Sequence, residues 1–99
     1  MSTWHFKKGK RETAFLEIDR VLNTATRRVE GFRGYLSLMS HQDPNTAVVI
    51  TMWQDQETLE NTESGTIQDA VQLVKDFLVS PPCIENFRVF STELFQRLE

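Results

Sequence analysis

The spacing of hydrophobic positions changes repeatedly along this chain, and each change marks an element. Thr3-Trp4-His5-Phe6 alternates, Lys8-Gly9-Lys10 interrupts, and then Phe15, Ile18, Leu22, Ala25 and Val29, joined by Ala14 and Val21, recur every third or fourth residue. That period places one broad apolar stripe on a helix of about five turns. Gly31 follows its last turn, and Arg27 and Arg28 lie where cations suit the negative end of the helix dipole, so the helix stops there. From Phe32 the period drops to two. The runs Phe32 to Gln42 and Thr46 to Gln54 flank Asp43-Pro44-Asn45, a turn signal, and together predict a β-hairpin. Pairing Gln42 with Thr46 sets Tyr35 opposite Trp53, Ser37 opposite Thr51, Leu36 opposite Met52 and Leu38 opposite Ile50.

This pairing sorts the hairpin into two faces. Phe32, Gly34, Leu36, Leu38, Val48, Ile50 and Met52 form a wholly apolar face, which is expected to lie under helices. Arg33, Tyr35, Ser37, Met39, His41, Val49, Thr51 and Trp53 form a mixed face, too apolar for plain solvent and expected to meet a second subunit for the most part. Downstream, Asp55-Gln56-Glu57-Thr58-Leu59 starts a short acidic helix that Ser64-Gly65 interrupts. A further amphipathic helix carries Ile67, Ala70, Val71, Val74, Phe77 and Leu78, with Thr66 as its expected N-cap and Ser80-Pro81-Pro82 beyond its end. Ile84 to Phe95 alternates in part and predicts a closing strand.

The order β, α, β, β, α in two pieces, β is that of an α+β, ferredoxin-like split βαβ fold: a four-stranded antiparallel sheet with both helices on one face. The other face stays open in a monomer. Since apolar and aromatic side chains remain for that face, the expected assembly is a homodimer in which two sheets close on each other.

Composition narrows the function classes. Ninety-nine residues, 39% apolar and 25% charged, make one domain spanning 1–99 with no room for a second. No apolar run approaches the roughly 18 residues of a membrane span, and Met1 to Lys10 lacks the apolar centre of a signal peptide, so a cytoplasmic protein without a membrane partner is expected. Cys83 is the single cysteine, which rules out a disulfide framework. The net charge of −3 is unevenly spread: residues 1–33 hold eight basic side chains against four acids, and the rest hold three against ten. Such asymmetry could dock two copies or guide a small anion, whereas a nucleic-acid partner is not expected of a domain that is acidic as a whole. The four glycines form no phosphate loop or dinucleotide fingerprint, no G-x-S-x-G elbow occurs, and Glu60 and Glu63 read as a solvated acidic pair rather than metal ligands.

Lys8-Gly9-Lys10 after a short strand, then the long helix, then Gly31-Phe32-Arg33-Gly34-Tyr35, and then Val48-Val49-Ile50-Thr51-Met52-Trp53-Gln54-Asp55 leading to Glu57 and Leu59, resemble the antibiotic biosynthesis monooxygenase family of dimeric α/β barrels. The resemblance runs over nearly the whole chain. It implies a small monooxygenase, cofactor-independent, that acts on an aromatic or quinol-like small molecule; the alternative it leaves is a non-catalytic dimeric small-molecule-binding or stress-associated protein of the same fold. The haem-degrading branch of the family uses an Asn on the first strand, a second Trp and a helix His, and Ser2, Thr62 and Gln72 stand near those positions here. Haem chemistry is therefore not expected.

Within that frame the candidate site residues are few. His5 and His41 are the only imidazoles, and His5, between Trp4 and Phe6, is the better placed as a base. Trp53 and Tyr35 could wall a planar substrate, against the plainer reading of an aromatic pair at a dimer contact. Arg33 and Arg88 could hold a phenolate oxygen, or bridge to acids across an interface, and Asn86 is a further polar candidate. The expected set is thus His5 and Arg88 as catalytic residues and Trp53, Tyr35 and Asn86 as substrate-binding residues.

Overall fold

A computed structural model describes residues 1–91, apart from the Ser64 side chain. Strand β1 (Ser2–His5) leads into helix α1 (Arg11–Arg28), the hairpin strands β2 (Phe32–Met39) and β3 (Thr46–Trp53), helix α2 (Gln56–Val74), a 3₁₀ turn at Lys75–Phe77 and a two-residue strand β4 (Cys83–Ile84). The strands form one antiparallel sheet in the order β2-β3-β1-β4, the ferredoxin-like arrangement that the element order predicts.

Both helices cover one sheet face, and the core lies between. Trp4 and Phe6 from the β1 segment stack with ring centroids 6.3 Å apart, and Phe6 meets Phe15 of α1 edge-on at 6.0 Å. Ala47, Val49 and Phe32 complete the sheet side, Ile18, Leu22 and Ala25 the α1 side, and Ile67, Ala70 and Val74 the α2 side. The buried Trp4 indole donates to Ser2 Oγ at 2.8 Å, so burial of its N–H leaves no unmet donor.

The hairpin faces are the reverse of the expectation. Helix-side positions are Tyr35, Ala47, Val49, Thr51 and Trp53, while the wholly apolar row of Leu36, Leu38, Val48, Ile50 and Met52 looks outward, with Leu36 52% exposed. Within the helix-side row, Ala47, Val49 and Thr51 are small or β-branched and let the helices approach. The residues of β1 settle the matter: Trp4 pairs with Ala47 and Ser2 with Val49, which draws the mixed row under the helices with the Trp4 ring.

The pairing register also moves by two residues. Tyr35 faces Thr51, Ser37 faces Val49, Leu36 faces Ile50 and Leu38 faces Val48. A six-residue connection, Ser40 to Asn45, replaces the predicted tighter turn, because Arg11 reaches in from α1 and donates to the carbonyls of Ser40, Asp43 and Thr46 at 2.9, 3.1 and 3.2 Å. At the far end of β2 a bulge at Arg33 carries Phe32 to the helix side, opposite Trp53, where it is buried. Gly31, just before it, has φ +86, and a Cβ there would collide with Thr58 at the start of α2.

Two further expectations are corrected. Helix α2 runs unbroken through Ser64-Gly65, and its N-cap is Asp55, whose carboxylate accepts from Thr58 N–H at 2.8 Å, in place of Thr66. A lone glycine costs about 1 kcal/mol in a helix, less than the burial of Ile67, Ala70 and Val74 beyond it returns. The closing strand is confined to Cys83–Ile84; residues 85–91 leave the sheet, and 92–95 of the predicted run lie outside the described residues. Among the described residues no helix is long and apolar enough to cross a membrane.

Candidate functional site

The five expected site residues occupy four separate places. Trp53 and Tyr35 share the helix-covered face near the β2 edge, but each is already engaged. Trp53 stacks on Phe32 at 4.7 Å between centroids and 18° between planes, and its indole N–H donates to Thr51 Oγ1 at 3.0 Å. The Tyr35 hydroxyl donates to Asp19 Oδ1 of α1 at 2.9 Å. Burial pushes the Tyr35 phenol up, and the Asp19 carboxylate that accepts its proton adds to the shift. These aromatics tie β2 and β3 to each other and to α1.

His5 lies on the open face of the sheet, opposite Thr46. Its Nδ1 is 3.1 Å from Thr46 Oγ1, and the Thr46 hydroxyl donates onward to Asp43 Oδ2 at 2.7 Å. With its proton directed at Asp43, the Thr46 oxygen is left to accept, so the contact is met by an Nδ1–H donor of the imidazole. The Thr46 hydroxyl and the Asn45 backbone N–H hold Asp43 below the usual carboxylate range, with smaller help from His5 and Arg11. Arg33 is at the β2 edge and Arg88 follows β4 at the opposite edge, so the two guanidinium groups do not converge.

Asn86 alone of the five lines a cleft. Leu59, Glu60, Glu63, Ile67 and Gln68 of α2 form one wall, and Ile84 and Asn86 form the other, around a volume of about 310 Å³. The β4 wall is held by reciprocal hydrogen bonds between Met1 and Glu85, at 2.7 and 2.8 Å, which fix the chain immediately before Asn86. The lining is mixed: Leu59, Ile67 and Ile84 give it an aliphatic part, and Glu60, Glu63, Gln68 and Asn86 a polar one.

Glu63 is the residue that sequence reasoning missed. It is only 6% exposed, against the solvated acidic pair expected. Glu60, one turn earlier, accepts from Gln56 Nε2 at 2.9 Å, whereas Glu63 makes no hydrogen bond or ion pair among the described residues. No side-chain oxygen among the described residues is both sealed from solvent and unbonded, so the Glu63 carboxylate opens onto the cleft it lines. The signal lay in the spacing: Leu59, Glu63, Ile67, Ala70 and Val74 follow one another at three or four residues, and only a helix continuous through Gly65 puts Glu63 on that inward stripe.

A second concavity, of about 330 Å³, runs between the two helices, floored by Val21, Ala25 and Val29 and edged by Arg20, Arg28 and Asp69. Among the described residues no buried polar side chain lines it. Among the described residues no three His, Cys, Asp or Glu side chains gather in a way that could hold a metal ion.

Comparison with known proteins places this geometry. No curated protein matches the chain. Solved structures do: a protein of unknown function from Nitrosomonas europaea is 21% identical with a TM-score of 0.73, over 96% of this chain and 90% of that one. Rv0793 from Mycobacterium tuberculosis is 17% identical with a TM-score of 0.66, over 91% and 94%. A crystal structure described as an antibiotic biosynthesis monooxygenase is 14% identical with a TM-score of 0.65, over 88% and 95%. At these identities the likeness establishes the fold. The family model for antibiotic biosynthesis monooxygenases matches residues 1–73, from β1 through nearly all of α2 and so the whole α2 wall of the cleft, and the chain belongs to that family.

Proposed function

We propose that this protein is a small monooxygenase that acts, without a bound cofactor, on an aromatic or quinol-like compound held in the cleft between α2 and β4. The observation that carries the reading is the cleft itself: an aliphatic part formed by Leu59, Ile67 and Ile84, a volume suited to one or two fused rings, and the carboxylate of the buried residue Glu63 facing inward, in a chain of this family. Substrate would be its own reductant. As a phenolate or enolate it gives its electrons to O₂; one oxygen atom joins the ring carbon, and the other leaves as water with the two hydrogens that the substrate loses. The protein binds, orients and dries the ring, and Asn86 offers an amide to a substrate oxygen.

We also propose a homodimer that covers the open sheet face. Leu36, Leu38 and Met52 are 52%, 46% and 40% exposed there beside Val48 and Ile50, a continuous apolar row turned to solvent that a second copy would cover. In that assembly His5, on the same face, lies at the contact between copies.

Oxygen uptake with a panel of hydroquinones and naphthols, followed by mass spectrometry with isotopically labelled dioxygen, tests the activity. The expected result is one labelled atom in the product, and a Trp at Ile84 that narrows the cleft mouth should suppress it. Binding without turnover across the panel would favour the non-catalytic binding protein instead. Sedimentation equilibrium tests the dimer: wild type should sediment at twice the 11.5 kDa chain mass, and Leu36→Lys as a folded monomer.

A further inference from the structure

Glu63 is only 6% exposed, yet its carboxylate is not sealed from solvent and no donor reaches it among the described residues, so it presents an open acceptor to the cleft. Glu63 is held by α2 between Leu59 and Ile67, one turn away on either side, so its carboxylate lies among aliphatic side chains and faces the cavity. When a ligand fills the cleft and displaces the water there, the carboxylate oxygen recovers its lost hydration only from a hydrogen-bond donor on that ligand. Asn86, on the opposite wall, is the amide that lines the cleft from the β4 side, and Gln68 lies a turn further along α2.

Taking the cleft as the ligand site, and so resting on the reading above, we infer that Glu63 is the ligand-orienting group and that it selects ring compounds bearing an O–H or N–H donor. The donor turns toward Glu63 and the apolar body packs on Leu59, Ile67 and Ile84. Anionic rings are disfavoured for the same reason. Glu60 and Glu63 both line the cleft, and among the described residues no Lys or Arg does, so a carboxylate or phosphate ligand would meet like charge there.

Fluorescence titration with α-naphthol, its methyl ether, α-naphthoate and a naphthylmethyl ammonium tests this, with circular dichroism and urea melting confirming that each variant is folded. Wild type should bind naphthol about ten-fold tighter than the ether, since the two differ by one donor, and naphthoate more weakly still. A preference for the ammonium over naphthol would identify the donor as an amine, and the reverse a hydroxyl; both exceed the ether on this account. Glu63→Leu should bring naphthol and ether to equal affinity. Glu63→Gln, whose amide oxygen still accepts, should keep part of the naphthol preference and gain in naphthoate affinity. If Glu63→Leu leaves the naphthol-to-ether ratio unchanged while Ile84→Trp weakens every probe, the cleft reading stands and the role of Glu63 is overturned. Should Ile84→Trp leave all probes unaffected, or no probe bind, both readings fall.

Discussion

The two edges of the helix-covered sheet face carry similar chemistry and are finished differently. At the β2 edge, Phe32, Trp53, Tyr35 and Asp19 satisfy one another: ring on ring, indole N–H on Thr51, phenol on carboxylate. At the β4 edge, a two-residue strand leaves α2 without a full partner, and Glu63 is buried there with its carboxylate open to a cleft. A polar group whose bonds are made within the chain is spent on holding the fold. One whose bonds are unmade is available to a ligand, and this difference separates aromatic side chains that look like a substrate wall from a glutamate that looks like surface.

Perturbing the closed edge should cost stability and leave ligand binding intact. The largest effect is expected for Phe32→Ala, which empties a buried site and unstacks Trp53, at about 3–5 kcal/mol by urea denaturation. Gly31→Ala should follow at about 1–3 kcal/mol, since φ +86 is strained for alanine and its Cβ meets Thr58. Adding Thr58→Ala should recover the collision part and leave the backbone part, a non-additivity that a double-mutant cycle reads directly. Tyr35→Phe, which deletes the hydroxyl bonded to Asp19, should cost about 1 kcal/mol. In each case naphthol affinity measured on the folded fraction should match wild type; a parallel loss would erase the distinction between the edges.

Two smaller effects sharpen it. Gly65 has open space around the position of a Cβ and lies inside α2, so Gly65→Ala should stabilise by about 0.5–1 kcal/mol in thermal melts without altering the cleft. Acid should act through the two turn and cap carboxylates, Asp43 and Asp55. Backbone and side-chain hydrogen bonds from Thr58 hold Asp55 below the usual carboxylate range, as the Thr46 hydroxyl and Asn45 N–H do for Asp43. Folded-state values below the unfolded one mean that this stability is complete above about pH 4 and is lost as pH falls through the folded values. Asp55→Asn should therefore flatten the acid limb of a melting-temperature profile and change little at neutral pH.

How legible this was varies by element, for physical reasons. Helix α1 was plain because Phe15, Ile18, Leu22 and Ala25 carry a full stripe between Lys10 and Gly31, and the element order with the Gly31 to Tyr35 and Val48 to Asp55 segments carried the family. The hairpin faces were not, because apolarity shows that a row is to be covered and says nothing of what covers it; only the pairing of β1 with β3 decides. Phe32 lies under the helices as expected, but a bulge at Arg33 separates it from the rest of its row, and the register was moved by Arg11, a side chain remote in sequence. Glu63 was hidden by reading Ser64-Gly65 as a break, although Asp55 caps one continuous helix whose inward stripe runs through position 63.

The most direct measurement is the crystal structure of the protein soaked with α-naphthol. The account predicts the ring between Leu59, Ile67 and Ile84 with its hydroxyl about 2.6–2.9 Å from a Glu63 carboxylate oxygen. A ring bound against Trp53 and Tyr35, or in the α2–β4 cleft with its hydroxyl turned away from Glu63, would contradict it.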